Sequence, residues 1–220
     1  MANGNNNIAK LEIVQWNCHS LRANLSEFKI MLYSKKPHIV MLCETWADVK
    51  YNPSFINYLC FWEHRGGAVG GGGLAILIRR DVSSTDKVLN PYPRGVLEIQ
   101  ACTVYCQDYQ IDLLNIYNPQ KTITKEELAH YYNQVGQVTI IAGDMNAHHE
   151  LFSNGGTQNS SVIHINQFLH EYPELTLATP KGLPTFHDWR RNYHSTLDLC
   201  IVSNLLFPLT QISTLDLCGG

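Results

Sequence analysis

Apolar residues recur along this chain with two different periods, and the switching between them outlines a fold. Leu11–Trp16 is an apolar run of strand length. From Ser20 to Ser34 the apolar positions become Leu21, Leu25, Phe28, Ile30, Met31 and Leu32, the spacing of a helix face, and Pro37 ends that helix. His38–Cys43 has the continuous apolar character of a buried strand, so the chain opens as β-α-β. Leu74–Ile78 follows the flexible turn Gly70–Gly73 as a strand. Val96–Val104 and Gln110–Ile116 are strands separated by a polar turn at Gln107–Asp108, which predicts antiparallel pairing.

Thr124-Lys-Glu-Glu127 has the form of a capping box, where a hydroxyl and a carboxylate satisfy the first amides of a helix continuing to about Val135. Val138–Ala142 reads as another buried strand and Val162–Glu171 as a second capped helix. Leu175–Leu177, Pro184–Phe186 and Leu197–Val202 read as strands, before a last apolar stretch at Leu209–Leu215. Some ten strands, many antiparallel, with two or more helices predict an α+β fold: a four-layer α/β/β/α sandwich of two mixed, largely antiparallel sheets. One domain is expected over residues 11–220, behind a polar, Asn-rich tail at 1–10.

Composition narrows the function classes. Hydrophobic residues make up 45% of the 220, enough for a full core and too many for a disordered chain. The net charge of −3 excludes nucleic-acid binding by bulk charge, so any such binding needs a local basic patch or a bound cation. The 7 cysteines include no CxxC pair. Cys18, Cys43, Cys102, Cys106 and Cys200 read as small buried hydrophobes of a reducing compartment, with a zinc pair at Cys102 and Cys106 as the other reading. No apolar run has the length of a membrane span and no signal peptide precedes the first strand, so an intracellular protein without membrane partners is expected.

Candidate chemistry lies where polar residues interrupt the ends of apolar strands. Asn17 and Glu44 end the first two strands, Tyr117 and Asn118 follow Ile116, Asp144 and Asn146 follow Ala142, and Asp198 comes after Ser195-Thr196. Singly, each reads as a turn former or a cap. Together they predict one site at the rim of the sheets. Mg²⁺ takes oxygen ligands and keeps several waters, so Glu44 and Asn17 would suffice to hold it. For phosphodiester hydrolysis, Asp144 would take the proton of a water, Asn146 would hold that water or the phosphate, and Tyr117 would donate to the phosphate.

These motifs resemble a known family. Gln15-Trp16-Asn17 with Leu21-Arg22, Leu42-Cys43-Glu44-Thr45-Trp46, Gly73-Leu-Ala-Ile76, Ile116-Tyr117-Asn118-Pro119, Gly143-Asp144-Met145-Asn146-Ala147-His148-His149 and Ser195-Thr196-Leu197-Asp198-Leu199 fall in the order of the endonuclease/exonuclease/phosphatase superfamily, whose fold is DNase-like. Glu-Thr-Trp, Asn-Ala-His-His, and Pro184-Thr185-Phe186 ahead of Ser-Thr-Leu-Asp are similar to the apurinic-type endonuclease domain of LINE (non-LTR) retrotransposons. The likeness runs from about residue 11 to 218. It implies a Mg²⁺-dependent (or Mn²⁺-dependent) nick in double-stranded DNA. The nick leaves a 3′-hydroxyl that primes reverse transcription, beside a reverse transcriptase in the parent polyprotein and in the nucleus.

The resemblance also implies roles. Asn17 and Glu44 would hold the metal, Tyr117 the phosphate, Asp144 and Asn146 the water, and Asp198 would buttress a catalytic histidine. Family members end the domain with Ser-Asp-His, whereas this chain ends at Leu217-Cys218-Gly219-Gly220, which implies a chain short of its final strand. His148 and His149 read as substrate-lining or structural, with zinc as an alternative. His187–His194 is the most basic and aromatic stretch; composition leaves a solvated hairpin tip and a DNA contact equally open. The resemblance favours minor-groove contact through Trp189, Arg190, Arg191 and Tyr193. Two competing readings stand: a catalytically inactive DNA-binding or interaction domain of this fold, and a phosphodiesterase of the superfamily acting on RNA or lipid.

Overall fold

The computed structural model describes residues 10–65, 71–106, 109–147, 159–188, 190 and 192–215. The two apolar periods of the sequence become two sheets and the helices that cover them. The first sheet has the order β1 (Ile13–Asn17), β2 (Ile39–Cys43), β4 (Leu74–Arg79), β3 (Tyr58–Glu63). The second has the order β5 (Ser83–Lys87), β6 (Glu98–Tyr105), β7 (Gln110–Tyr117), β8 (Thr139–Asp144), β12 (Asp198–Ser203), β9 (Leu175–Leu177). A separate hairpin pairs β10 (Phe186–Asp188) with β11 (Tyr193–Ser195).

Strand alternation sorts the apolar residues into layers. On β2, Ile39 and Met41 face the second sheet and pack with Cys102, Val104, Ile111 and Leu113, while Val40 and Leu42 face outward. That outer face is covered by α1 (Leu25–Lys35), whose Phe28, Met31 and Leu32 recur at helical spacing and are buried. The far face of the second sheet is covered by α2 (Lys125–Tyr132) and α3 (Ser160–Glu171), through Leu128, Tyr132, Val162, Ile165 and Phe168. The result is the α/β/β/α sandwich expected. Phe28 is fully buried against Phe55 with ring centroids 5.0 Å apart. Phe28→Ala would cost about 3–5 kcal/mol, the lost transfer energy plus an unfilled cavity.

Several boundaries differ from the sequence reading for local reasons. Helix α1 starts at Leu25, not Ser20, because Ser20 and Leu21 donate their amides to Glu44 O and Thr45 O at 2.9 and 3.0 Å, tying this turn to the end of β2. Half of the capping box forms at α2. Thr124 Oγ1 accepts from Glu127 N at 3.2 Å, but the Glu127 carboxylate turns away to accept from Val96 N and Leu97 N at 2.8 and 2.9 Å. Asn159 precedes α3 without a side-chain cap. The predicted strand at Pro184–Phe186 lies further on, at Phe186–Asp188, because Thr185 turns into the site described below. The Leu209–Leu215 stretch forms no strand among its described residues; Pro208 sits in a short 3-10 turn, and Leu209 is exposed. Strand β3 was not foreseen, nor was β5, whose Ser-Ser-Thr-Asp-Lys sequence carries no apolar signal. Cys18, Cys43 and Cys102 are buried as expected, whereas Cys106 and Cys200 are half-buried; all are free thiols.

Candidate active site

The strands bring the polar ends together. β1 and β2 run parallel in the first sheet, with Asn17 beside Cys43 and Glu44 next along the chain. β7 and β8 run parallel in the second, with Tyr117 beside Asp144. β12 runs antiparallel to β8, so its first residue, Asp198, lies opposite the last residue of β8, Asp144. Sheet packing then places the two rims side by side. Their floor is a small apolar cluster of Cys43, Leu74 and Tyr117.

Asn17 is the link between the sheets. Its Nδ2 donates to Glu44 Oε1 and to Asp144 Oδ2, both at 2.8 Å. Asp144 Oδ1 accepts from the Asn146 amide at 3.0 Å, and Asn146 Nδ2 donates to Asn118 O at 2.8 Å. Asn118 is fully buried and fixes this turn, donating from Nδ2 to Lys121 O and Met145 O, each at 2.9 Å. Asp198 is anchored differently. Its amide and that of Leu197 both donate to Thr185 Oγ1, at 3.0 and 2.9 Å, which roots the β10–β11 hairpin at the site. Asp198 Oδ1 is shielded from solvent and has no hydrogen-bond partner among the described residues.

The backbone here is under tension. Glu44 has φ +51°, Asn146 +46°, His19 +37° and Trp46 +50°, all in the left-handed region that non-glycine residues avoid. Such conformations persist only where surrounding bonds over-determine them, and they gather at functional sites. Gly143 shows how tightly the strands meet: a Cβ there would lie 1.8 Å from Ile116 O. No other residue fits between β7 and the polar end of β8.

The carboxylates differ electrostatically. Burial pushes Glu44 up, but hydrogen bonds from Asn17, Tyr117 and His19 more than offset it, so its carboxyl stays below the usual carboxylate range. Asp144 goes the other way. Burial, then the nearby Asp198 charge, push it up to about 7 despite the bonds from Asn17 and the Asn146 amide. Burial also raises Asp198, against hydrogen bonds from Thr185 and Gln15. Tyr117 is pushed up by burial and by its bond to Glu44, so it stays a protonated donor.

Asn17, Glu44, Tyr117, Asp144, Asn146 and Asp198, singled out from sequence, therefore converge on one rim. Tyr193 and Arg190 are exposed on the hairpin. His148, His149, Trp189 and Arg191 lie outside the described residues. The sequence motifs include Gln15, Trp46 and Thr185 without giving them a role, and do not single out His19; Thr185 and Gln15 act on Asp198 across strands, which no spacing along the chain reveals. The rim offers carboxylate, carboxamide and phenol oxygens, which suit a hard divalent cation. Among the described residues no three His, Cys, Asp or Glu side chains form a closed metal cluster. The oxygen set at the rim is one that a Mg²⁺-like ion with retained waters would fit.

The family model of the Endonuclease/Exonuclease/phosphatase family matches residues 14–220. The chain belongs to this family. Solved structures agree in fold. The endonuclease domain of TRAS1, a telomere-specific non-LTR retrotransposon, superposes with a TM-score of 0.69 at 20% identity, over 89% of this chain and 86% of that one. An AP endonuclease from Archaeoglobus fulgidus gives 0.69 at 18% identity, over 90% and 89%. A 3′ phosphatase, NExo, from Neisseria bound to product DNA hairpin gives 0.64 at 17% identity, over 90% and 89%. No curated protein matches the chain by sequence. As a member of the endonuclease/exonuclease/phosphatase family, the chain has a fold shared by nucleases and phosphatases alike. No helix among the described residues is long and apolar enough to cross a membrane.

Proposed function

We propose that this protein is a divalent-metal-dependent endonuclease that nicks double-stranded DNA and leaves a 3′-hydroxyl, in the manner of a non-LTR retrotransposon's nicking domain. The observation that carries this reading is Asn17 joining Glu44 and Asp144 across two sheets, Nδ2 lying 2.8 Å from each carboxylate. Glu44, kept ionised by its donors, and Asn17 would hold Mg²⁺ or Mn²⁺. When bound, such an ion neutralises phosphate charge and acidifies water. Asp144, poised near neutral pH, accepts the proton of the attacking water, and Asn146 orients that water. The protonated Tyr117 hydroxyl donates to a non-bridging phosphate oxygen. The hairpin carrying Arg190 and Tyr193 reaches the DNA, and Trp189, Arg191, His148 and His149 would add to that contact. The product's role would be to prime a reverse transcriptase of the parent polyprotein, in the nucleus.

A second reading is a domain of this fold that binds DNA without cutting; the observation that bears on it is the buried Asp198 Oδ1, which has no hydrogen-bond partner among the described residues. One assay separates the readings: supercoiled plasmid, single-stranded RNA and phosphoinositide vesicles offered in parallel with Mg²⁺. The proposal expects open-circular plasmid whose nick a DNA polymerase extends. Cleavage of RNA or lipid alone rejects it, and plasmid binding without nicking favours the second reading.

A further inference from the structure

Two aromatic side chains at the rim have been given no contact with the nucleic acid. His19 lies two residues past Asn17 and Trp46 two past Glu44, so the loop leaving each of β1 and β2 supplies a ring beside a proposed ligand. The Trp46 residue is 42% exposed and the His19 side chain 75%. The rings meet edge to face, centroids 4.7 Å apart and planes at 65°. Both reach one carboxylate oxygen: His19 Nδ1 lies 3.2 Å from Glu44 Oε2, and Trp46 Nε1 donates to it at 3.4 Å.

Their position is built rather than incidental. Trp46 N donates to Gly72 O at 2.9 Å, Thr45 N to Gly73 O at 3.1 Å, and Ser20 N to Glu44 O at 2.9 Å. The loops leaving β1 and β2 are thus sewn to each other and to the glycine turn before β4. That lacing holds His19 and Trp46 in left-handed conformations they would not adopt alone. An exposed indole on a backbone this constrained is a surface kept open at a hydration cost, which points to a ligand with an apolar face.

We propose that His19 and Trp46 form a contact platform for the nucleotide flanking the scissile phosphate. This deepens the proposed function and rests on it. A phosphate lodged between Glu44 and Asp144 leaves its adjoining nucleoside within reach of rings that touch Glu44. A nucleoside presents a sugar edge and a base π-face, and either packs on an indole. His19 props the indole edge-on, so Trp46 makes the main contact and His19 positions it.

The test uses binding and turnover. Asp144→Asn protein is titrated with a short DNA duplex in Mg²⁺ while tryptophan emission is read, beside Asp144→Asn/Trp46→Phe. Quenching is expected in the first and is largely lost in the second, although Trp16, Trp62 and Trp189 remain. In plasmid nicking, Trp46→Ala is expected to raise KM about 10-fold with kcat within about twofold. Trp46→Phe keeps most of the affinity, and His19→Ala raises KM only about threefold. An oligonucleotide lacking the base beside the nick separates sugar from base: the Trp46→Ala penalty persists for a sugar contact and disappears for a base contact. Wild-type nicking with an unchanged Trp46→Ala KM, or quenching that Trp46→Phe leaves intact, overturns the platform. Failure of the wild type to nick overturns the function instead, and the Trp46-dependent quench still decides the platform.

Discussion

Two buried aspartates sit at opposite ends of the same parallel strand pair. Asp112 begins the β7–β8 pairing beside Thr139, and Asp144 ends it beside Tyr117. Both are nearly inaccessible, at 1% and 6%. Asp112 is fully answered: Lys87 Nζ and Thr103 Oγ1 each donate at 2.6 Å and the Gly136 amide at 2.7 Å. Burial raises its pKa, but these donors overcome it and hold the carboxyl below its ordinary range. Asp144 has Asn17 and one amide, and it faces Asp198 and Glu44, so it is raised to about 7. Carboxylates of one type, a few residues apart in register, are thus tuned in opposite directions by what surrounds them. One end of the sandwich is satisfied and stabilising. The other is left short of positive charge, which is what a cation and a phosphate-cutting site require.

The comparison can be broken by substitution. The largest expected effect is on turnover: Asp144→Ala lowers plasmid nicking at least about 10³-fold, measured by conversion to open circles, because the proposed base is lost. Next, Asp112→Ala costs about 2–4 kcal/mol in urea unfolding, since it leaves Lys87 and a buried hydroxyl without their acceptor. Lys87 keeps some solvent access, which holds the loss below that of a fully buried pair. Nicking per folded molecule is unchanged in this variant.

Smaller effects appear in pH profiles of thermal melting without metal. A raised folded pKa means stability complete below the unfolded value and lost as pH rises through the folded one. Asp144→Asn therefore raises Tm by several degrees above pH about 7, with the gain vanishing below pH about 4. Asp112→Asn behaves oppositely, losing stability at neutral pH and little in acid, because a depressed pKa stabilises only above the unfolded value. Glu127→Gln has the smallest effect, about 2 °C or less at pH 7. Burial raises the Glu127 pKa against its two backbone donors, and a Gln oxygen can keep accepting from both.

Much of this was legible in the chain. Apolar runs such as Ile39–Cys43 and Leu74–Ile78 announce strands because both faces are buried, and a polar residue ending such a run is visible at once. That is why Asn17, Glu44, Asp144 and Asp198 stood out. Strand β5 was not legible, since an edge strand of Ser, Thr, Asp and Lys carries no hydrophobic period. Nor was the turn at Ser20–Asn24, set by bonds to a strand distant in sequence. The electrostatic contrast of Asp112 and Asp144 was equally hidden. Each is one acid in an apolar stretch, and only cross-strand register shows that Asp112 meets Lys87 and Thr103 while Asp144 meets Asp198.

The most direct test of the central claim sets the two aspartates side by side in one assay. Wild type, Asp144→Ala and Asp112→Ala are given supercoiled plasmid with and without Mg²⁺ at a temperature where all three are folded. The account predicts Mg²⁺-dependent nicking by wild type and Asp112→Ala and none by Asp144→Ala. Equal nicking by Asp144→Ala and wild type, or equal loss in both variants, would contradict the assignment of the Asn17–Glu44–Asp144 rim as the cutting site.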